Sequence, residues 1–153
     1  MSRTDAQAGF TLIEVVCVLA IIGLLAALVL PAIPRGTSQE RLAGYAVEVA
    51  ALLKGDRNAA IRTRAPVATS LDAQRRIVVS GATASTVEIP ADVTFQALLA
   101  QRCGGRRVGV TIDFFPGGAS CGGVIAIARQ GVGYQIRVNW LTGGVEVVAA
   151  GKS

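Results

Sequence analysis

Few side chains in this sequence are equipped for chemistry, and the most conspicuous of them is out of place. Glu14 lies in the stretch GFTLIEVV, and no other charge follows it until Arg35. A charge in hydrocarbon costs about 2.5–3.5 kcal/mol on insertion scales and therefore tends to mark a function. A position one turn into a helix lets the carboxylate reach interfacial water, which explains its tolerance but not its presence. The remaining reactive groups are cysteines. Cys17 lies inside the apolar segment, whereas Cys103 and Cys121 lie in Gly-rich stretches of the C-terminal half. That pair fits a disulfide in an oxidising compartment, which would stabilise the fold by roughly 3 kcal/mol on the chain-entropy model. The alternative is two reduced thiols that never meet. Zinc is disfavoured, because structural sites use four Cys or His ligands and the chain has no histidine.

The absence of histidine also removes the commonest general base. GASCG, Gly118 to Gly122, matches the G-x-S-x-G nucleophile elbow in form. That motif needs a strand-to-helix turn and a histidine partner, so Ser120 is rejected as a nucleophile. No P-loop is present, and Glu88, Asp92, Asp113 and Glu146 form no acid–base couple. The expectation is a protein that is not an enzyme, with no catalytic residue, metal or cofactor. The balance from Arg35 onward is fourteen Lys and Arg against eight Asp and Glu. RNAAIRTR places Arg57, Arg62 and Arg64 near one helix end, and QRCGGRR places Arg102, Arg106 and Arg107 beside Cys103. Such clusters can contact phosphate backbones. A solvated face is the preferred reading, helped by the attraction of cations to a helix C-terminus.

The elements that position these groups follow from periodicity. Val15 to Pro34 is a run of twenty residues without a charge, about the number a membrane-spanning helix needs. Its core, VVCVLAIIGLLAALVL, is apolar on every face. It is longer than the apolar part of a secretory signal and lacks the small-residue cleavage site. Charges flanking the run give weak guidance on its orientation. From Ser38, Leu42, Tyr45, Ala46, Val49, Leu52 and Leu53 recur at helical spacing, with Glu40, Arg41, Glu48, Lys54, Asp56 and Arg57 on the other faces. This helix ends near Arg64, before Pro66. Beyond it the chain reads as β, with strands expected at 67–71, 76–80, 86–89, 108–115, 124–128, 134–141 and 145–149. LTGGVEVV is read as a closing hairpin with its turn at 142–144. The segment from Ala91 to Arg107 fits no strand, and FQALLAQR within it suggests a helical turn. Seven short strands imply two small packed sheets.

GFTLIEVV with its apolar run resembles the leader junction of type IV pilins and type II secretion pseudopilins. There a polar leader ends in Gly, Phe follows, and Glu is the fifth residue of the helix; Gly9, Phe10 and Glu14 match. The resemblance implies cleavage after Gly9 by a prepilin peptidase, N-methylation of the new terminus at Phe10, and Glu14 registering subunits against a neighbour's Phe10 amine. Pro31 matches a helix-interrupting proline of the family, and Pro34 follows it, so a kink or break is expected there. IDFFPGGASCGGVIAI and YQIRVNWLTGGVEV resemble the C-terminal pattern of H-type minor pseudopilins and FimT-type minor pilins over the last third of the chain.

Together these readings give an α+β, type IV pilin-like chain. A long N-terminal helix, transmembrane in its first half and amphipathic in its second, is expected to pack on a small antiparallel β-sandwich. The expected divisions are a leader at 1–9, a transmembrane and filament-core helix at 10–34, an amphipathic helix at 35–64, and a periplasmic β-domain at 65–153. The resemblance implies a structural subunit near the tip of a type II secretion pseudopilus, supporting export of folded proteins. Its implied partners are other pseudopilins, the prepilin peptidase and N-methyltransferase, an inner-membrane assembly platform, and lipid before assembly. The expected location is the bacterial inner membrane, crossed once, and then the pseudopilus. The alternative is a FimT-type minor pilin that binds DNA through Arg102, Arg106 and Arg107.

Overall fold

The structure, a computed structural model, describes residues 11–29 and 36–151. The expected cleavage junction Gly9–Phe10 and the expected kink at Pro31 and Pro34 lie outside the described residues. The chain divides into two compact units, residues 1–35 and 36–153.

In the first unit α1 spans Leu12–Val29. Its start is written in the sequence: Thr11 precedes the helix and its hydroxyl accepts from the Glu14 N–H at 3.4 Å, an N-cap arrangement. The side chains from Leu12 to Ala27 are all exposed. At 18 residues the helix is about 27 Å long, short of the ~30 Å hydrocarbon core. Among the described residues no helix is long and apolar enough to cross a membrane; the rest of the apolar run, to Pro34, lies beyond them.

The second unit is built around α2, Gln39–Thr63. Ser38 caps it, accepting from the Arg41 N–H at 3.3 Å, and Arg64 ends it in the left-handed region at φ 53°. Pro66 cannot continue a helix and keeps Ala65 out of the helical region. The inward face, Leu42, Ala46, Val49, Ala50, Leu53 and Ala60, is buried. Burying one such Leu stabilises the fold by roughly 1.5–3 kcal/mol.

Ten strands follow: β1 (Val67–Asp72), β2 (Ile77–Val79), β3 (Thr86–Glu88), β4 (Thr94–Leu99), β5 (Arg102–Cys103), β6 (Arg106–Arg107), β7 (Thr111–Phe114), β8 (Gly123–Arg129), β9 (Val132–Val138) and β10 (Val145–Ala150). They form an antiparallel sheet in the order β3-β2-β1-β7, a second in the order β10-β9-β8-β4, and a separate β5-β6 ribbon. One core joins α2 to both sheets. Val78, Ile112 and Phe114 enter it from the first, and Ile125, Ile127 and Ile136 from the second.

The expected strand at 108–115 is confined to Thr111–Phe114, and two further sequence expectations need correction. FQALLAQR holds no helical turn. Residues 94–99 form strand β4 in register with β8, from Thr94↔Ala128 to Leu99↔Gly123. Phe95 is buried between exposed Thr94 and Gln96, so a place in the sheet overrode the helix propensity of Gln, Ala and Leu. The second correction concerns the expected strand at 134–141, which ends at Val138. The Asn139 carboxamide oxygen accepts from the Leu141 and Thr142 N–H groups at 2.9 and 3.0 Å, an Asx turn that starts the hairpin early. Trp140 and Leu141 are left exposed at its tip.

Candidate functional site

Glu14 stands at the third position of α1, and Thr11-Leu-Ile-Glu14 has the T-x-x-E spacing of a capping box. Only half the box is formed: Thr11 accepts from the Glu14 backbone, while among the described residues the Glu14 carboxylate joins no hydrogen bond or ion pair. The sequence reading missed this capping role, although the spacing was there to find. A carboxylate in the first turn also suits the helix dipole, by about 0.3–1 kcal/mol. The helix dipole therefore accounts for the tolerance of Glu14, while the cap uses its backbone N–H and leaves the carboxylate for a partner. Cys17, on the same helix, is a free exposed thiol.

Cys103 and Cys121 form a disulfide, with Cα atoms 5.6 Å apart. Arg102, Arg106 and Arg107 are exposed on the ribbon that this bond tethers. Cys103-Gly-Gly-Arg106 turns the ribbon through two residues, Gly104 and Gly105, at φ 56° and 79°. Two consecutive positive φ values match a type I′ hairpin turn, which Gly-Gly adopts without a Cβ penalty. Arg102 faces Arg107 across the ladder and Cys103 faces Arg106. This hairpin was not foreseen, although its Gly-Gly pair was visible in the sequence.

Ser120 has a structural task. It is buried; its hydroxyl donates to the Asn139 carbonyl at 3.1 Å and accepts from the Gly122 N–H at 2.9 Å. It thereby fastens the Gly-rich loop to the β9–β10 hairpin.

Asp56 and Arg57 do not belong with the solvated residues of α2. Asp56 is 1% exposed, and its spacing from Val49, Leu53 and Ala60 places it on the buried face. Its carboxylate accepts from Thr69 Oγ1 at 2.6 Å, Ser80 Oγ at 2.5 Å, Gly81 N at 3.0 Å and Ala82 N at 3.2 Å. One side chain thus joins α2 to β1 and to the β2–β3 turn. Arg57 Nε donates to the Gly118 carbonyl at 3.2 Å and the Thr142 carbonyl at 3.1 Å, tying the helix to both loops at the far end of the sheets.

A third tie holds the start of this unit. Asp92 accepts from Thr37 N at 2.8 Å and Thr37 Oγ1 at 3.0 Å. Arg129 Nε lies 2.9 Å from Asp92 Oδ2, and Arg129 also donates to the Thr37 carbonyl. The Thr37 N–H bond, more than any other contact, holds the Asp92 carboxyl below the usual carboxylate range; the Thr37 hydroxyl and Arg129 add to it and partial burial opposes it. A carboxyl with a lowered folded-state pKa adds stability above its unfolded value and loses it as pH falls through the folded one. Thermal melts should therefore show wild type more stable than Asp92→Asn at neutral pH. The gap should close as pH drops below the ordinary Asp value of about 3.9. A gap independent of pH would mean the carboxylate charge contributes nothing.

The N-terminal segment and the helix-on-two-sheets unit define a class, that of type IV pilin-like proteins. Residues 4–30 match the prokaryotic N-terminal methylation motif. The chain is 31% identical over 138 residues to type II secretion system protein H of Xanthomonas campestris pv. campestris, covering 90% of this chain and 80% of that protein. It belongs to the type II secretion system protein H family. Two solved structures share the fold. The minor pseudopilin EpsH of Vibrio cholerae has a TM-score of 0.56 at 10% identity, over 71% of this chain and 96% of that one. The type IV minor pilin FimU of Pseudomonas aeruginosa has a TM-score of 0.54 at 16% identity, over 76% of this chain and 97% of that one.

Proposed function

We propose that this chain is a structural subunit near the tip of a type II secretion pseudopilus, where it supports export of folded proteins across the outer membrane. The observation that carries the reading is α1 itself. Beyond Glu14 it is apolar on all sides, and its side chains from Leu12 to Ala27 are exposed; a helix of that kind needs lipid or other helices around it. The methylation motif spans that same segment. On this reading the prepilin peptidase cuts after Gly9 and Phe10 becomes the N-methylated terminus. The run from Phe10 to Pro34 anchors the subunit in the inner membrane with residues 65–153 in the periplasm. The assembly platform then moves it into a filament with other pseudopilins. The disulfide fits a domain that folds in an oxidising compartment.

Blocking the first step tests the reading. When Gly9→Ala is co-expressed with a prepilin peptidase, the chain is expected to stay at its uncut mass. Intact-mass spectrometry of wild type is expected to show the loss of residues 1–9 and an added methyl group. Wild-type chain recovered uncut beside an active peptidase would overturn the proposal.

The alternative, a DNA-binding minor pilin, draws on the exposed arginines of the β5–β6 ribbon. Salt-sensitive duplex binding, lost when Arg106 and Arg107 are neutralised, would favour it.

A further inference from the structure

The arginine hairpin is joined to the domain by few links. Among the described residues its strands, β5 and β6, pair only with each other. Arg102 and Arg107, directly opposite, are like charges that weaken a strand pair. At the base its two arms hold each other, Val108 N donating to Gln101 O at 3.1 Å and Gly109 N to Ala100 O at 3.2 Å, and just beyond them Val110 O accepts from Leu71 N of β1 at 2.9 Å. At the tip, Gly104 lies close to the Phe115 ring. The covalent link is Cys103 to Cys121, and Cys121 is itself anchored, its N–H donating to the Asp113 carbonyl at 2.9 Å.

Asp113 sits next to that anchor. On β7 it alternates with the core residues Ile112 and Phe114, so it points from the opposite face of the sheet. Its side chain is 9% exposed, and Oδ2 lies 4.0 Å from Nη2 of Arg106. Oδ1 is sealed from solvent and has no hydrogen-bond partner among the described residues. A buried carboxylate with one long ion pair is poorly compensated. Its counter-charge is carried by a residue whose ladder partner is the disulfide cysteine Cys103. A cleft of about 390 Å³ involves the same residues, lined by Pro66, Ala68, Arg106, Arg107, Thr111 and Asp113 among others.

We propose that the Cys103–Cys121 bond is a redox-sensitive clasp on this hairpin. While intact, it holds Arg106 against Asp113 and keeps Arg106 and Arg107 over the cleft. When it is broken, the hairpin and its three arginines leave the sheet, and Asp113 loses its counter-charge. A dithiol reductant opens the clasp. Cys103 and Cys121 take up two electrons and two protons as thiols, and the two thiols of the reductant close into a disulfide.

Hydrogen exchange of the full chain in detergent micelles, oxidised and reduced by a dithiol, tests this. Reduction is expected to speed exchange at the Val108 and Gly109 amides by about tenfold or more while Ile125 and Ile136 stay protected. In oxidised protein R106Q should also speed exchange at Val108 and Gly109. In reduced protein it should add nothing, because Arg106 has already left Asp113. Unchanged hairpin exchange on reduction would overturn the proposal, and so would equal acceleration by R106Q in both states. Loss of protection across the whole domain would overturn it too, because the bond would then be holding the domain rather than the hairpin. C103S/C121S provides a reductant-free check and should reproduce the reduced pattern; failure of that variant to fold counts with the last outcome. D113N in oxidised protein should abolish the R106Q effect, and an effect that persists would mean Arg106 acts through something other than Asp113.

Discussion

Asp56→Ala is expected to destabilise the second unit by about 3–5 kcal/mol, within the range for breaking a buried, hydrogen-bonded charge network. Among the described residues Asp56 joins no ion pair; the Thr69 and Ser80 hydroxyls and the Gly81 and Ala82 amides stand in for a cation. Hydrogen bonds to a charged group contribute about 1.5–3 kcal/mol each, and donors left unsatisfied when the acceptor goes cost a further 1–3 kcal/mol. The contributions do not add in full, because the turn at Gly81 relaxes and water reaches part of the space. Since this unit has its own core, urea or thermal unfolding of the chain reads the loss. The melting temperature is expected to fall by roughly 10–20 °C. Asp56→Asn, which keeps the shape but turns an amino group toward some donors, should fall between the two. Arg75→Ala is the matching control, because it removes an ion pair with Asp72 that is exposed on both sides and spares the Asp72 carboxylate that accepts from the Gln74 and Arg75 N–H groups; such pairs contribute ~0–1 kcal/mol. A loss below about 1 kcal/mol for Asp56→Ala would show that water replaces the carboxylate and that its hydrogen bonds add little net stability.

The same residue shows where the sequence was legible and where it was not. The inward stripe of α2 could be read because Leu42, Ala46, Val49 and Leu53 recur at the helical period. A carboxylate on that stripe reads as a break in the pattern until its donors are known. Those donors come from β1 and from the turn after β2, 13 to 26 residues away, and pairings of that kind leave no periodic trace. Arg129 and Asp92 were hidden for the same reason, since both meet at Thr37. β4 was misread because its helix-favouring residues were judged alone, whereas β8 supplies the ladder that makes them a strand. The disulfide was legible as a pair of cysteines. That Cys103 belongs to a hairpin, and that Arg106 beside it faces a buried carboxylate, depended on the register of β5 with β6.

Glu14→Gln is expected to leave processing and membrane insertion intact and to reduce incorporation into filaments by tenfold or more. The proposed pairing of Glu14 with the Phe10 amine of a neighbouring subunit rests on its environment. In a packed bundle of apolar helices an ammonium without a counter-ion costs about 3–5 kcal/mol, and about 1.4 kcal/mol already corresponds to a factor of ten. A rival account comes from the structure itself: Glu14 is the third residue of a helix capped by Thr11, so its removal could act through a frayed helix start. The two accounts separate cleanly. Gln is as good as Glu at that position of a capping box, so Glu14→Gln removes the charge and spares the cap. Thr11→Ala removes the cap at a cost of about 1 kcal/mol and spares the charge. If pairing is the role, sheared filament fractions should lose Glu14→Gln and retain Thr11→Ala. If capping is the role the order reverses, and the exposed carboxylate of α1 is then an N-terminal helix residue with no partner in the filament.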